Sequence, residues 1–212
     1  MDNKLRWLWI ILFGVLLWWA VGPSGAPIAQ FEGLPEPLPT SFDHRLSIAG
    51  EPLQTATARM PEAIVADHFV LRPIAEFEVE ARVLSRRNYR RGIESRLSPL
   101  DLALGWGPMA DPEVLQHIRI SQSRRYFYWR VREFPIPRRQ IETNSANMHL
   151  IPANRDIARQ LDAISRDDQV RLGGWLVDID RDDGWRWRTS RTRTDTGAGA
   201  CEIVFVTRVA RL

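Results

Sequence analysis

The sequence predicts an α+β chain, in which a single N-terminal transmembrane helix is followed by a domain with a small antiparallel, barrel-like sheet and a few short helices. Three observations predict it. Trp7 to Val21 is uncharged and follows Lys4 and Arg6; alternating or aromatic strand-like stretches recur from Phe77 to Val209; and helix signals are confined to short segments near residues 98–118 and 154–164. Of the 212 residues, 44% are apolar and 26% charged, ordinary globular usage that excludes disordered, collagen-like and polytopic membrane classes. The lone cysteine, Cys201, excludes an intrachain disulfide and any clustered-cysteine metal site.

The first element is the anchor. A helix over residues 5–22 would run about 27 Å at ~1.5 Å per residue, close to the ~30 Å of a hydrocarbon core. Trp7, Trp9, Trp18 and Trp19 fall at its two ends, where indoles favour the interface. A basic start and an apolar run also fit a cleaved signal peptide, but Pro27 directly after Ser24-Gly25-Ala26 opposes processing, so a retained anchor is expected. Lys4 and Arg6 put the N-terminus in the cytoplasm by the positive-inside rule. The chain is therefore expected in the inner membrane, single-pass, with its C-terminal domain in the periplasm.

Residues 23–61 hold seven of the fourteen prolines and predict an extended stalk, leaving residues 62–212 as the domain. Residues 1–70 carry four basic and seven acidic groups and residues 71–212 carry 25 and 19, so a mildly acidic tether precedes a domain of net charge +6. Within that domain Phe77, Val79, Ala81 and Val83 alternate with Glu76, Glu78, Glu80 and Arg82, the pattern of a half-buried strand. Ser98-Pro99-Leu100-Asp101 predicts a capped helix through Leu104, ended by Gly105-Trp106-Gly107-Pro108, and Asp111-Pro112-Glu113 opens a second helix to about Ile118. Tyr126 to Val131 predicts a strand, and Asn154 caps a helix that buries Ile157, Leu161 and Ile164. Val170 to Ile179 predicts a strand bent at Gly173-Gly174; Asp182-Asp183-Gly184 a turn; Trp185 to Thr192 a returning strand; and Cys201 to Val209 the last one.

Two of these strands mix aromatic residues with arginine. Tyr126, Tyr128, Arg130 and Arg132 share one face, and Arg186 and Arg188 share another. With the Trp106 loop they form the expected contact surface for an envelope protein or an anionic polymer. Such a face could also stack nucleic acid, but the predicted topology removes that partner from reach. No cofactor is expected, and His44, His68, His117 and His149 are scattered without a helix-spaced histidine partner, so no metal site is predicted. The alternative is catalytic, with Cys201 as a nucleophile and His149 as its base.

From Asn147 to Arg208, a histidine, a small run of barrel strands, a cysteine heading a strand and an arginine after it resemble a sortase transpeptidase. The resemblance implies His149 as acid/base, Cys201 as nucleophile and Arg208 as the oxyanion-side cation. Where that family has Thr-Leu-x-Thr-Cys this chain has Gly-Ala-Gly-Ala-Cys, and the seven-residue separation of Cys201 from Arg208 puts them on opposite faces of a strand unless a bulge intervenes. Asp195-Thr196-Gly197-Ala198 resembles the loop of retroviral-type aspartic peptidases; the arginine-rich approach to it and the two glycines are those of a hairpin loop. Finally, Leu-Ser-Pro-Leu-Asp-Leu-Ala-Leu-Gly-Trp-Gly-Pro-Met, Ser-Ala-Asn-Met-His-Leu-Ile-Pro-Ala and Asp-Thr-Gly-Ala-Gly-Ala-Cys-Glu together resemble uncharacterised bacterial membrane-anchored proteins over residues 76–209, a likeness that implies domain limits and no activity.

Overall fold

A computed structural model describes residues 29–42, 46–56, 60–192, 195 and 200–212. The expected membrane helix, 1–22, lies outside them, and among the described residues no helix is long and apolar enough to cross a membrane. The described chain is mostly β-sheet with a few short helices. In order it forms β1 (Leu53–Thr55), β2 (Ile64–Ala66), β3 (Phe69–Asn88), β4 (Leu100–Gly105), α1 (Pro112–Leu115), β5 (Ile118–Ser123), β6 (Tyr126–Val131), α2 (Arg138–Thr143), β7 (Ser145–Pro152), α3 (Arg155–Asp162), β8 (Gln169–Arg181), β9 (Arg186–Trp187) and β10 (Glu202–Arg211).

The alternation read at residues 77–83 belongs to β3, a strand of 20 residues long enough to pair with β8 along most of its length and with β4 at its end. β4 pairs with β7, β7 with β10 and β10 with β8, which closes five strands into a barrel in the order β3-β4-β7-β10-β8. The expectation of a purely antiparallel sheet is corrected at one seam: β7 and β10 run parallel. After β7 the chain crosses through α3 and makes its return pass as β8, so β10 arrives beside β7 in the same direction.

Phe77, Val79, Val83, Leu102, Leu104, Met148, Leu150, Leu172, Val204 and Val206 fill the barrel, and Ile157, Leu161 and Ile164 from the α3 region pack against them. Asn154 caps α3 as expected, its Oδ1 accepting from the backbone N–H groups of Asp156 and Ile157, both at 3.0 Å. The helix expected from Ser98 to Leu104 is instead strand β4. A cap contributes about 1 kcal/mol, whereas each of Leu100, Leu102 and Leu104 gains roughly 1.5–3 kcal/mol by facing inward at period two. Burial wins over the local signal. At Gly174 the strands approach closely, since a Cβ there would lie 1.9 Å from the Phe205 carbonyl oxygen of the neighbouring strand, and the register of β10 against β8 shifts opposite Gly173 and Gly174. Of the returning strand expected from Trp185 to Thr192, only β9 pairs among the described residues.

Two layers cover the barrel. The β5–β6 hairpin and α2 bury Ile118, Ile141, Phe127, Trp129 and Val131 against Leu84 and Ala103. On another side, Phe31, Leu34 and Leu38 pack on the cluster around Trp175, Ile203 and Phe205, with the Phe31 ring edge-on to Phe205 at 4.9 Å. Glu32 and Val65 exchange backbone hydrogen bonds of 2.8 and 3.0 Å, and β1 adds to β3. The segment expected to be a stalk is thus, over residues 29–42 and 46–56, part of the folded body.

Candidate functional site

The β5–β6 hairpin turns through Arg124 and Arg125, both with positive φ (51° and 69°). A two-residue loop that follows the strand twist needs that backbone, yet it costs a non-glycine residue roughly 1–2 kcal/mol. Arg125 offsets the cost by latching the turn onto the outer face of β4 and β7. Its Nη1 donates to Asp101 Oδ1 at 2.7 Å and to Ser98 Oγ at 3.4 Å, its backbone N–H donates to the Tyr89 hydroxyl at 3.0 Å, and its guanidinium lies 3.9 Å from the Tyr89 ring centre. Burial of Tyr89 is the largest influence on its hydroxyl and raises its pKa.

Asp101 is fully buried beneath this latch. Asn147 Nδ2 reaches Asp101 Oδ2 at 3.4 Å and donates to the Arg125 carbonyl at 3.0 Å, while Gln122 donates to Asn147 Oδ1 at 2.6 Å. His149 Nδ1 lies 3.0 Å from Asp101 Oδ2, close enough for an ion pair but off the line that a hydrogen bond needs. The imidazole also faces the Trp187 ring at 4.6 Å. Asp101, Arg125, Asn147, Tyr89 and Trp187 escaped the sequence reading. The one signal was Asp101 itself, an acid set between leucines on a two-residue period.

Cys201 stands at the edge of this cluster, its Sγ 4.0 Å from Asn147 Nδ2 and 3.8 Å from the Arg125 carbonyl. Burial, with the Glu202 carboxylate adding to it, pushes the thiol up to about 12, so it is protonated at neutral pH. The register opposes Ile203 to His149, which brings Cys201 beside Asn147 and leaves His149 one pleat further along the same face. A bulge between Val206 and Arg208 does return Arg208 to the outer side of β10. However, at ~3.3 Å per residue it lies about 20 Å along the strand from Cys201. There it pairs with Glu78 at 3.2 Å and Glu76 at 3.5 Å, over Gly173. The structure therefore brings Cys201 and His149 into one neighbourhood and places Arg208 elsewhere.

The expected contact surface divides in the same way. Trp106 is corrected to a core residue: it continues the inward phase of Leu102 and Leu104 and is 1% exposed. Arg188 is bound to the Ile179 carbonyl and to Asp180, and Arg186 approaches Asp180 at 4.0 Å. The Arg188 bond, followed by Arg72, holds the Asp180 carboxyl below the usual range. By contrast Tyr126, Tyr128 and Arg130 form one exposed row on β6, the tyrosines 41% and 50% exposed, and Arg132 is exposed directly after the strand. Among the described residues neither Arg130, Arg132 nor the cross-strand Arg119 has an ion-pair partner.

A groove of about 570 Å³ runs between β6 and the start of β7, lined by Tyr126, Tyr128, Trp129, Arg138, Asn147 and Cys201 among others. Arg138 is tied to Glu142 at 2.8 Å. Among the described residues no group of three histidine, cysteine or acidic side chains is placed to hold a metal. Neither a family model, nor a curated protein, nor a solved structure matches the chain.

Proposed function

We propose that the chain is a non-catalytic binding or accessory domain, tethered to the inner membrane and facing the periplasm, that holds a protein partner or an envelope polymer on the β6 face and its groove. The observation that carries this is the exposed row of Tyr126, Tyr128 and Arg130, with Arg132 directly after it, unpaired among the described residues and bordering a cavity of about 570 Å³. Tyrosine and arginine are the side chains enriched at protein interfaces, and cations with no ion-pair partner among the described residues are available to a partner that carries anions.

The strand connectivity supports the location. Five barrel strands in this order, with a helix between the third and fourth, follow the path of an oligonucleotide/oligosaccharide-binding barrel, whose ligands lie on the second and third strands between the flanking loops. Those strands are β4 and β7 here, and the groove borders the start of β7. This is fold-level analogy and carries no ligand identity with it. The sortase-like alternative asks for a thiolate beside its base and an arginine beside both. It draws less support from a protonated Cys201 and an Arg208 paired with Glu76 and Glu78.

A photocrosslinking side chain placed at Tyr128 in the membrane-bound chain tests the proposal. Crosslinked adducts should vanish on Arg130→Glu/Arg132→Glu and persist on Cys201→Ala. Adducts indifferent to the charge reversal, or abolished by Cys201→Ala, would refute it.

A further inference from the structure

We infer that the occupant is an acidic peptide segment in extended conformation, which joins the edge of β6 left unpaired among the described residues as an added strand; the inference rests on the binding-surface reading above. Among the described residues β6 pairs with β5 alone. In a hairpin closed by a two-residue loop, Ser123 and Tyr126 form the first hydrogen-bonded pair, so Phe127 and Trp129 turn their N–H and C=O groups away from β5. The cavity follows that edge. Its lining includes the four consecutive residues Tyr126 to Trp129, which point alternately to the two faces of the strand, and a groove touches both sets only if it runs along the edge between them. Its far wall, from Ser145 to Asn147 and at Cys201, stands where a strand lying beside β6 would be enclosed.

Charge selects the occupant. Inside the groove Arg138 is neutralised by Glu142, and the Asp195 carboxylate is held by the Ser190 and Thr192 hydroxyls. A polymer carrying charge on every backbone unit gains nothing there, whereas a neutral peptide backbone fits. On the exposed face the balance reverses. Arg130 and Arg132 project outward with the tyrosines, and Arg119 stands directly across from Arg130, a like-charge pair that destabilises the hairpin. Acidic side chains on one face of an added strand would answer those cations while its backbone takes up the Phe127 and Trp129 groups. A second copy of this chain is a poor occupant, because its own Arg130 and Arg132 would meet their counterparts, the usual means by which edge strands resist self-pairing.

The test uses the full chain in detergent micelles and a fluorescent nonapeptide alternating Glu with Thr or Val, together with two versions N-methylated on alternate residues in opposite phase. Fluorescence anisotropy gives affinity, and hydrogen exchange reads the Phe127 and Trp129 amides. Binding is expected to weaken about tenfold or more for one of the two methylated phases, through lost main-chain bonds. Arg130→Ser/Arg132→Ser should weaken it comparably, Arg186→Ser should not, and the two amides should slow in exchange. No binding at millimolar peptide, equal affinity of all three peptides, or unprotected amides would each overturn strand addition. If soluble polyglucuronate binds in an Arg130- and Arg132-dependent way without protecting the amides, strand addition fails and the contact surface stands. If no probe responds to Arg130→Ser/Arg132→Ser, both fail together.

Discussion

Replacing Asp101 by asparagine keeps its shape and removes its charge. The carboxylate is fully buried, and Arg125, 2.7 Å away, keeps 16% of its side chain exposed. Breaking a wholly buried pair costs about 3–5 kcal/mol by stranding the survivor. Here the Arg125 head is partly wetted, packs on Tyr89 and can still donate to the amide oxygen, so the loss should be about 2–3 kcal/mol. At ~2–4 °C per kcal/mol for a chain of this size, the melting temperature should fall by roughly 5–10 °C. Urea unfolding followed by tryptophan fluorescence would measure the loss. Limited trypsin digestion would show whether the Arg124-Arg125 turn has come free. The cycle with Arg125→Leu and Asp101→Leu should return a coupling of about 2 kcal/mol, because the paired apolar replacement strands nothing. A change below about 0.5 kcal/mol, or strictly additive single changes, would show that the hairpin is not latched through this pair.

Further outcomes follow from other parts of the barrel. Because the Cys201 thiol is raised when folded, its contribution to stability is intact below the ordinary thiol range and declines as pH rises toward about 12. Relative to Cys201→Ala, the unmodified chain should therefore lose up to about 1.4 kcal/mol per pH unit above pH ~9, and iodoacetamide should label it slowly at pH 7; labelling as fast as a free thiol would contradict the burial. Gly174→Ala should destabilise by about 3 kcal/mol or prevent folding, since its new Cβ meets backbone; Gly173→Ala should destabilise as well, since its Cβ would crowd the buried Arg208 guanidinium against its Glu78 partner. Phe31→Ala should lower the urea midpoint by the equivalent of about 2 kcal/mol if residues 29–42 belong to the folded body, and leave it unchanged if they do not.

Elements whose cause lies within a dozen residues were legible in the sequence. Asn154 with Ile157, Leu161 and Ile164 specifies α3 locally, and the alternation from Tyr126 to Val131 specifies β6 and its two faces. Ser98 to Leu104 carries two overlapping local grammars, a capping pattern and a leucine period of two, and only the neighbouring strands decide between them. The site was the least legible part. Asp101, Arg125 and Asn147 meet across separations of 22 to 46 residues, and nothing local marks a hairpin arginine as the partner of an acid on a barrel strand. Prolines in residues 23–61 spoke for an extended tether, but Phe31, Leu34 and Leu38 among them are what bring that stretch down onto Trp175 and Phe205.

That packing has a consequence for where the domain can work. With a membrane helix ending at residue 22 as expected, a free stalk of 39 residues could have let the barrel range over roughly 130 Å of envelope at ~3.3 Å per residue. Since the fold already claims the chain from residue 29, only six residues remain, a leash of about 20 Å. The barrel would then patrol a thin layer against the membrane surface, and a partner of the proposed kind would have to come to that layer to be held.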